Sequence, residues 1–276
     1  MFIRTVFMLL AAALMAGCAT RFQGKDSLQA VREPSQRLIK QTVLRPDNTP
    51  DSVREFSRTF DGKLAQEKIL DAAGNVREIV YYDYNNGLRT ERRSYNRDNK
   101  LTGRRTYSYT AGGLPETEMY YDEKGGLLMV SRFTHDSSGN KTEWTTSDAS
   151  GNLMARTRYV YRKKQLQAAA LSGPSGETNI TISITYNAEG RKVRETYTNT
   201  AGNTEKEILF FYDETGRLAG QETFSSFKTF SGKSVYVYAG EDEEPEKIFR
   251  YDNRGNPRET VIQEYALGGE KSGQTL

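Results

Sequence analysis

The stretch Tyr212-Asp213-Glu214-Thr215-Gly216-Arg217-Leu218 decides the fold of this 276-residue chain. It contains an aromatic residue, then an Asp, and then a Gly three residues after that Asp. A type I β-turn favours Asp at its first position and Gly at its fourth. The carboxylate accepts nearby backbone N–H groups, and Gly adopts a positive φ without a steric penalty. The stretch therefore predicts a tight hairpin turn that ends in a bulge.

The same turn signal recurs about every 13 residues through most of the chain. The aromatic position of every second copy recurs at intervals of 25 to 27 residues, at Tyr82, Tyr109, His135, Tyr161, Tyr186, Tyr212 and Tyr238. The interleaved positions are Leu70, Tyr95, Tyr121, Ser147, Leu171, Thr198, Phe224 and Tyr251. The residues predicted to form the turns are Asp71, Gly74, Asp122, Gly125, Asp136, Gly139, Asp148, Gly151, Gly190, Asp213, Gly216, Asp252 and Gly255. Such a period indicates a repeat architecture.

The segments between turns are about eight residues long and rich in Tyr, Thr, Val and Ile, which favour strands. No segment has the apolar stripe of a helix. The sequence therefore predicts an all-β fold, a long antiparallel up-and-down meander of about 16 short strands in an extended or curved sheet. A four-bladed propeller fits the same strand number and is the alternative.

The first 18 residues have the form of a secretory signal, with a basic start, an apolar run and small residues. The apolar run, residues 5–15, is shorter than the ~20 residues that a membrane-spanning helix needs. Leu14-Met15-Ala16-Gly17-Cys18 resembles the lipobox of bacterial lipoproteins, and the resemblance implies cleavage before Cys18 and acylation of that residue. Ala19 stands where an Asp would imply retention in the inner membrane, so the resemblance implies the outer membrane. The alternative for Cys18 is an ordinary buried cysteine.

The rest of the chain divides into three parts. Residues 19–52 contain three prolines and little periodicity, which is typical of a tether, although residues 38–44 could form a first strand. Residues 53–265 carry the repeats. Residues 266–276 are predicted to be a disordered tail.

The motif aromatic-Asp-x-x-Gly-Arg-Leu resembles the YD repeat of RHS-type proteins. Residues 212–218 match it in full, whereas residues 121–127 and 251–256 match it in part. In large members of that family the repeats form a strand-built shell around a C-terminal toxin. The spacing is also similar to the hairpin repeats of MORN-type bacterial lipoproteins, and this resemblance implies a role in interactions.

Composition excludes several classes of function. The chain has 39 basic and 36 acidic residues, interspersed, with a net charge of +3, which is no nucleic-acid footprint. The single Cys allows no internal disulfide, and the single His cannot form a His-Cys zinc site. The many Asp residues are assigned to turns rather than to calcium. We therefore expect no metal, no cofactor and no catalytic residue.

Charged residues also argue against a barrel embedded in lipid, because they occur on both faces of a strand, at odd and at even positions. Arg89, Glu91 and Arg93 have one parity in the sequence, and Arg92 has the other. A solvated sheet face is the interpretation of a set of strand residues, namely Trp144, Arg89, Arg92, Arg93, Arg104 and Arg105. A binding face is the alternative.

Three further features have a structural and a functional interpretation. His135 occupies an aromatic position of the repeat, which favours packing over catalysis. Residues 240–246 form an acidic loop, interpreted as solvated, with a contact for a basic partner as the alternative. Residues 221–233 break the spacing and hold three Phe residues, interpreted as core filling rather than a binding patch.

The function expected from these observations is that of an envelope lipoprotein anchored to the membrane through its lipid. Its repeat sheet would act as a non-catalytic binding or scaffolding surface for an envelope protein or a glycan, with no nucleic-acid partner. The alternative is an accessory or immunity protein for a secreted RHS-type toxin. An envelope hydrolase is a third and weaker hypothesis.

Overall fold

The computed structural model describes residues 36–267, which form eighteen β-strands and one 3₁₀ turn at Ser226–Lys228. The strands are β1 Gln36–Leu44, β2 Pro50–Arg58, β3 Leu64–Asp71, β4 Val76–Asn85, β5 Leu88–Asn96, β6 Leu101–Tyr109, β7 Pro115–Tyr121, β8 Leu127–His135, β9 Lys141–Asp148, β10 Leu153–Arg162, β11 Gln165–Ser172, β12 Thr178–Tyr186, β13 Lys192–Asn199, β14 Thr204–Tyr212, β15 Leu218–Ser225, β16 Thr229–Val237, β17 Lys247–Tyr251 and β18 Pro257–Leu267. Within residues 36–267 no helix has the length and apolarity needed to cross a membrane.

The strands form one antiparallel up-and-down sheet that closes on itself. Each strand pairs with the next one along the chain, and β1 pairs with both β2 and β18. Thr42, for example, lies opposite Val53 on one side and Ile262 on the other. The prediction of an all-β antiparallel meander is confirmed, whereas the expected open or curved sheet is not, because the sheet is a closed barrel.

Two details of the sequence interpretation change with closure. The barrel has 18 strands rather than about 16, and a propeller is excluded because all described strands belong to one sheet. Residues 36–52 lie within the predicted tether but belong to the barrel, where the strand allowed at residues 38–44 is part of β1 and β2 begins at Pro50. An up-and-down ring closes with antiparallel pairing only when its strand number is even, and β1 supplies the strand that meets β18.

Most buried side chains lie on one face of the barrel wall. Cross-strand partners share a face, and following the register from strand to strand connects Val80 with Ser94, and Ser131 with Thr146. Of the ten buried non-glycine residues in the described part of the chain, eight belong to this face, namely Val80, Ser94, Ser131, Thr146, Thr157, Ala169, Ser234 and Val261. A closed sheet crowds the side chains on its concave side, so we define this face as the inner face. Among the described residues only four apolar side chains are buried, so the barrel lacks a thick apolar core.

The aromatic residue of the repeat has a specific contact in the barrel. The hydroxyl of Tyr212 donates to the carbonyl oxygen of Lys192, 20 residues earlier, at 2.7 Å. The same contact over 20 residues joins Tyr84 to Leu64, Tyr186 to Leu166, Tyr238 to Leu218 and Tyr265 to Pro245. We name this contact the tyrosine clasp. It joins the end of one strand to the beginning of the strand before it, so it couples neighbouring hairpins.

The clasps lie at one rim of the barrel, where the even-numbered strands end. Because β1 begins and β18 ends there, with Arg37 opposite Ala266, both ends of the described chain lie at this rim. We name it the terminal rim.

Candidate ligand-binding wall on the inner face

Arginine and tyrosine side chains are concentrated on the inner face of four neighbouring strands, β4 to β7. We name this surface the Arg–Tyr wall; it consists of Tyr82, Tyr84, Arg89, Arg92, Arg105, Tyr107, Tyr109, Glu118 and Tyr120. The pairing of Arg92 with Arg105, and of Arg105 with Tyr120, places these residues side by side across three strands. The wall therefore combines positive charge with aromatic rings.

A β-bulge places Arg89 on this wall. Asp83 lies opposite Glu91, but the next residue, Tyr84, lies opposite Arg89, so β5 contains one extra residue at Thr90. The extra residue turns Arg89 to the same face as Arg92. The alternation in the sequence groups Arg89 with Glu91 and Arg93 instead, and that grouping is wrong for Arg89 because strict alternation fails at a bulge.

Arg89 lies among tyrosine rings near the terminal rim. Its guanidinium carbon is 4.7 Å from the ring centroid of Tyr82 and 5.9 Å from those of Tyr84 and Tyr107. Burial lowers the pKa of Arg89, but the favourable interactions with the Tyr84 and Tyr107 hydroxyls outweigh burial and raise that pKa above its ordinary value. The group therefore stays charged, and cation–π contacts hold it in place.

The other two arginines of the Arg–Tyr wall have carboxylate partners. Arg92 is 3.8 Å from Glu78, and Arg105 is 3.7 Å from Glu118. Glu118 also accepts a hydrogen bond of 2.7 Å from the hydroxyl of Tyr120. Among the described residues Arg89 has no such ion pair, so it supplies the uncompensated positive charge of this wall.

A pocket of about 350 Å³ lies beside Arg89. Its walls are formed by Tyr84, Arg89, Tyr107, Tyr109 and Glu118, together with the β4–β5 turn. The volume falls at the small end of the range of about 300–1,000 Å³ that is typical of small-molecule sites. The pocket offers one cation and three phenol rings to a ligand.

The repeat departs from its regular form at this pocket. The β4–β5 turn consists of two residues, Asn86 and Gly87, both with positive φ, instead of the usual longer turn. Tyr109 holds the repeat's aromatic position in the next hairpin, and its clasp would reach the carbonyl of Arg89. That bond is not formed, and within residues 36–267 the Tyr109 hydroxyl makes no hydrogen bond. The phenol of Tyr109 is therefore available to a ligand.

The residues predicted as turn formers lie at the corners between strands. The carboxylate of Asp71 accepts N–H groups from Ala73 and Asn75, both at 2.9 Å. The carboxylates of Asp122, Asp136, Asp148, Asp213 and Asp252 also accept backbone N–H groups of their own turns. The glycines with positive φ include Gly74, Gly125, Gly139, Gly151, Gly190, Gly216 and Gly255. Cys18 lies outside the described residues.

Hydrogen bonding lowers the pKa of several turn carboxyls. For Asp213 the first cause is the Thr215 hydroxyl, followed by the Arg217 side chain and backbone N–H. The pKa values of Asp71, Asp136, Asp148 and Asp252 are lowered by contacts of the same kind. Each of these contacts favours the charged carboxylate, so the turns are stabilised by ionisation.

The remaining candidates from the sequence have structural contacts. His135 ends β8 opposite Lys141, and burial followed by the Lys141 charge lowers its pKa. In the acidic loop, the carbonyls of Gly240 and Asp242 accept hydrogen bonds from Arg217. In the irregular hairpin, Phe224 meets Phe230 edge-on, at 5.8 Å between ring centroids. Trp144 lies on the inner face and stacks on Phe133 at 6.3 Å.

The charged residues expected on a solvated strand face divide between the two faces. Arg89, Arg92 and Arg105 lie on the inner face, whereas Arg93 and Arg104 lie on the outer face, where both pair with Glu91. In the part of the chain that the structure describes, no group of three or more His, Cys, Asp or Glu side chains is arranged to hold a metal ion.

Comparisons with known proteins show distant structural likeness only. No family model and no curated protein matches the chain. A porin-like protein from Bacteroides uniformis has 12% identity and a TM-score of 0.46, over 84% of this chain and 97% of that one. A porin-like protein from Bacteroides vulgatus has 10% identity and a TM-score of 0.32, over 83% and 98%.

A TcdB2-TccC3-TEV crystal structure is also similar, with 12% identity and a TM-score of 0.35. The match covers 81% of this chain, which spans only 15% of that one. Because all three TM-scores are below 0.5, these likenesses carry no argument about function. The resemblances to a lipobox and to YD repeats remain predictions.

Proposed function

We propose that this protein is a lipid-anchored lipoprotein of the bacterial envelope whose barrel binds another envelope molecule without catalysing a reaction. The observation that carries the proposal is the Arg–Tyr wall, with the uncompensated charge of Arg89 beside an open pocket. Tyrosine and arginine are the residues that most often anchor a ligand or partner, because they combine a large contact area with hydrogen bonding. An envelope protein or a glycan presents the polar and anionic groups that such a wall can bind.

The chemistry of the described residues favours binding over catalysis. A hydrolase of the Ser-His type needs an imidazole that is hydrogen-bonded to a nucleophile. His135 makes no hydrogen bond through its side chain within residues 36–267, and its nearest charged neighbours are Lys141 and Asp136. The Arg–Tyr wall supplies donors and rings but no nucleophile paired with a base.

The distribution of charge supports a barrel that stands outside the bilayer. The outer face carries Glu91, Arg93 and Arg104, and the inner face carries Arg92 and Arg105. A charged side chain facing lipid near the midplane costs about 2–4 kcal/mol for Arg or Lys. Because the outer face carries such residues within the strands, whereas a polar inner face is compatible with a membrane barrel, we assign membrane attachment to acylation at Cys18. The absence of Asp at position 19 favours the outer membrane.

Fractionation of cells tests the anchor. We expect Cys18→Ser to move the protein from the membrane fraction to the soluble fraction, because multiple acyl chains are needed for stable anchoring. Ala19→Ser is the matched control and should leave the protein in the membrane fraction. Membrane retention of the Cys18→Ser variant would contradict acylation at that residue.

Site-specific crosslinking in cells tests the binding role. A photoreactive amino acid in place of Tyr107, on the Arg–Tyr wall, should capture an envelope protein or glycan. The same group at Ser183, which is exposed on the outer face, is the control and should not capture it. Identical products from both positions, or none from Tyr107, would count against the wall as the binding surface. Capture of a secreted toxin would favour the accessory or immunity role instead.

A further inference from the structure

We propose that the pocket beside Arg89 binds a small organic oxyanion, a carboxylate or a phosphate, whose carbon body lies against the rings of Tyr107 and Tyr109. The inference rests on the binding role proposed above and names the chemistry of the ligand. Three independent features of the pocket carry it: its charge, its unused hydrogen-bonding groups and its shape.

The first feature is an excess positive charge inside the barrel wall. Arg92 and Arg105 are each paired with a carboxylate, and the carboxylate of Glu118 that lines the pocket is engaged by Arg105 and Tyr120. Arg89 is left without an anion among the described residues. Arginine presents a planar fork of N–H donors that matches a carboxylate or a phosphate in two parallel hydrogen bonds.

The second feature is a set of polar groups that lack partners. The Nε of Arg89 is buried and has no hydrogen-bond partner in the described part of the chain. The Tyr109 hydroxyl also lacks one, whereas five equivalent tyrosines donate theirs in clasps. A buried donor such as this Nε normally finds an acceptor, whereas the Tyr109 hydroxyl is not among the buried atoms and is accessible to a ligand. A bound oxyanion would add acceptors around the guanidinium, and a polar substituent of the ligand would meet Tyr109.

The third feature is the opening in the repeat. The two-residue turn at Asn86 and Gly87 and the missing clasp of Tyr109 occur in adjacent hairpins, and the pocket lies between them. The rings of Tyr107 and Tyr109 form one side of this opening. Aromatic rings bind the faces of sugar rings and other flat carbon bodies by apolar contact while their hydroxyls remain hydrated. The pocket therefore accommodates a ligand with a charged end and a compact body.

Titration calorimetry on the full-length protein in detergent tests the proposal with five probes: glucuronate, glucose 6-phosphate, benzoate, glucose and inorganic phosphate. We expect at least one organic oxyanion to bind saturably, about tenfold or more tightly than glucose and than inorganic phosphate. Glucuronate against glucose 6-phosphate distinguishes a carboxylate from a phosphate. Glucuronate against benzoate distinguishes a sugar from a flat apolar body. Equal affinity for glucose and for the oxyanions, or no binding by any oxyanion, would overturn the inference.

Variants assign the binding to the pocket. Arg89→Met should weaken the bound oxyanion about tenfold or more, and Arg89→Lys should recover part of the loss because it keeps the charge without the fork. Arg191→Met is the matched control, since Arg191 also lies over a tyrosine ring, that of Tyr212 at 5.7 Å, but outside the pocket. Unfolding curves of each variant report whether it is folded. An unchanged affinity in folded Arg89→Met would overturn the inference.

The two proposals fail in distinguishable ways. If no oxyanion binds but crosslinking at Tyr107 still captures an envelope partner, the oxyanion pocket is wrong and the binding role stands. If oxyanions bind at Arg89 but no partner is captured in cells, the pocket is supported and the envelope partner is not.

Discussion

Replacing Tyr212 with Phe removes one tyrosine clasp and leaves the ring in place. The hydroxyl donates to the Lys192 carbonyl at 2.7 Å, and burial raises the pKa of this phenol. A hydrogen bond of this type contributes about 0.5–1.5 kcal/mol net to the free energy of unfolding. We therefore expect Tyr212→Phe to lose about 1 kcal/mol, which for a domain of this size lowers Tm by about 2–4 °C.

Tyr121→Phe is the matched control for this measurement. Tyr121 belongs to the interleaved series at the opposite rim, and within residues 36–267 its hydroxyl hydrogen-bonds only to the sulfur of Met119, at 3.3 Å. Thioether sulfur is a weak acceptor, so we expect a loss well below about 0.5 kcal/mol. Both variants are measured by urea unfolding followed by circular dichroism, with a check that the denaturant dependence is unchanged.

The reasoning is refuted if Tyr212→Phe is as stable as the wild type, or if both variants lose the same amount. The first result would mean that water replaces the lost donor at the Lys192 carbonyl at no cost. The second would mean that any tyrosine hydroxyl in the wall contributes equally, so that the clasp has no special role in coupling hairpins.

Three further predictions concern the turns and the closure of the barrel. The turn carboxyls have lowered pKa values in the folded protein, so their stabilisation is present above the unfolded pKa near 4 and is lost as the pH falls below it. The Asp213→Asn variant should therefore lose less Tm between pH 6 and pH 2 than the wild type. An identical pH dependence of Tm in the two proteins would contradict this. Gly74 has a φ of +83° and open space around it, so Gly74→Ala should lower the free energy of unfolding by about 1–2 kcal/mol through backbone strain alone. Gly74→Asn should lower it less, because Asn tolerates this backbone conformation. Equal losses in the two variants would argue against backbone strain as the cause. In a variant without the native cysteine, Thr42→Cys with Ile262→Cys should form an intramolecular disulfide under mild oxidation, because directly paired residues lie within bonding range. The control pair, Thr42→Cys with Ser183→Cys, should form none. If gel mobility shows a disulfide in the control pair and none between positions 42 and 262, the closure of the barrel is refuted.

The candidate site was only partly predictable from the sequence. The richness in Arg and Tyr between residues 82 and 120 is visible in the printed chain, and a binding face is one of its two interpretations. The position of Arg89 depends on a one-residue bulge, however, and the availability of Tyr109 depends on a clasp that fails to form. Neither event has a signal in a strict alternation of strand residues.

The sequence by itself determined the corners of this protein. Asp213 and Gly216 form their turn through contacts within five residues, so the antiparallel order of neighbouring strands follows from local chemistry alone. Only the tertiary structure decided that β1 meets β18, that the strands number 18 and that one face is inward. Those outcomes depend on the twist and stagger accumulated over the whole sheet, which bring Thr42 opposite Ile262 across most of the chain length. No local sequence pattern encodes this accumulated twist and stagger.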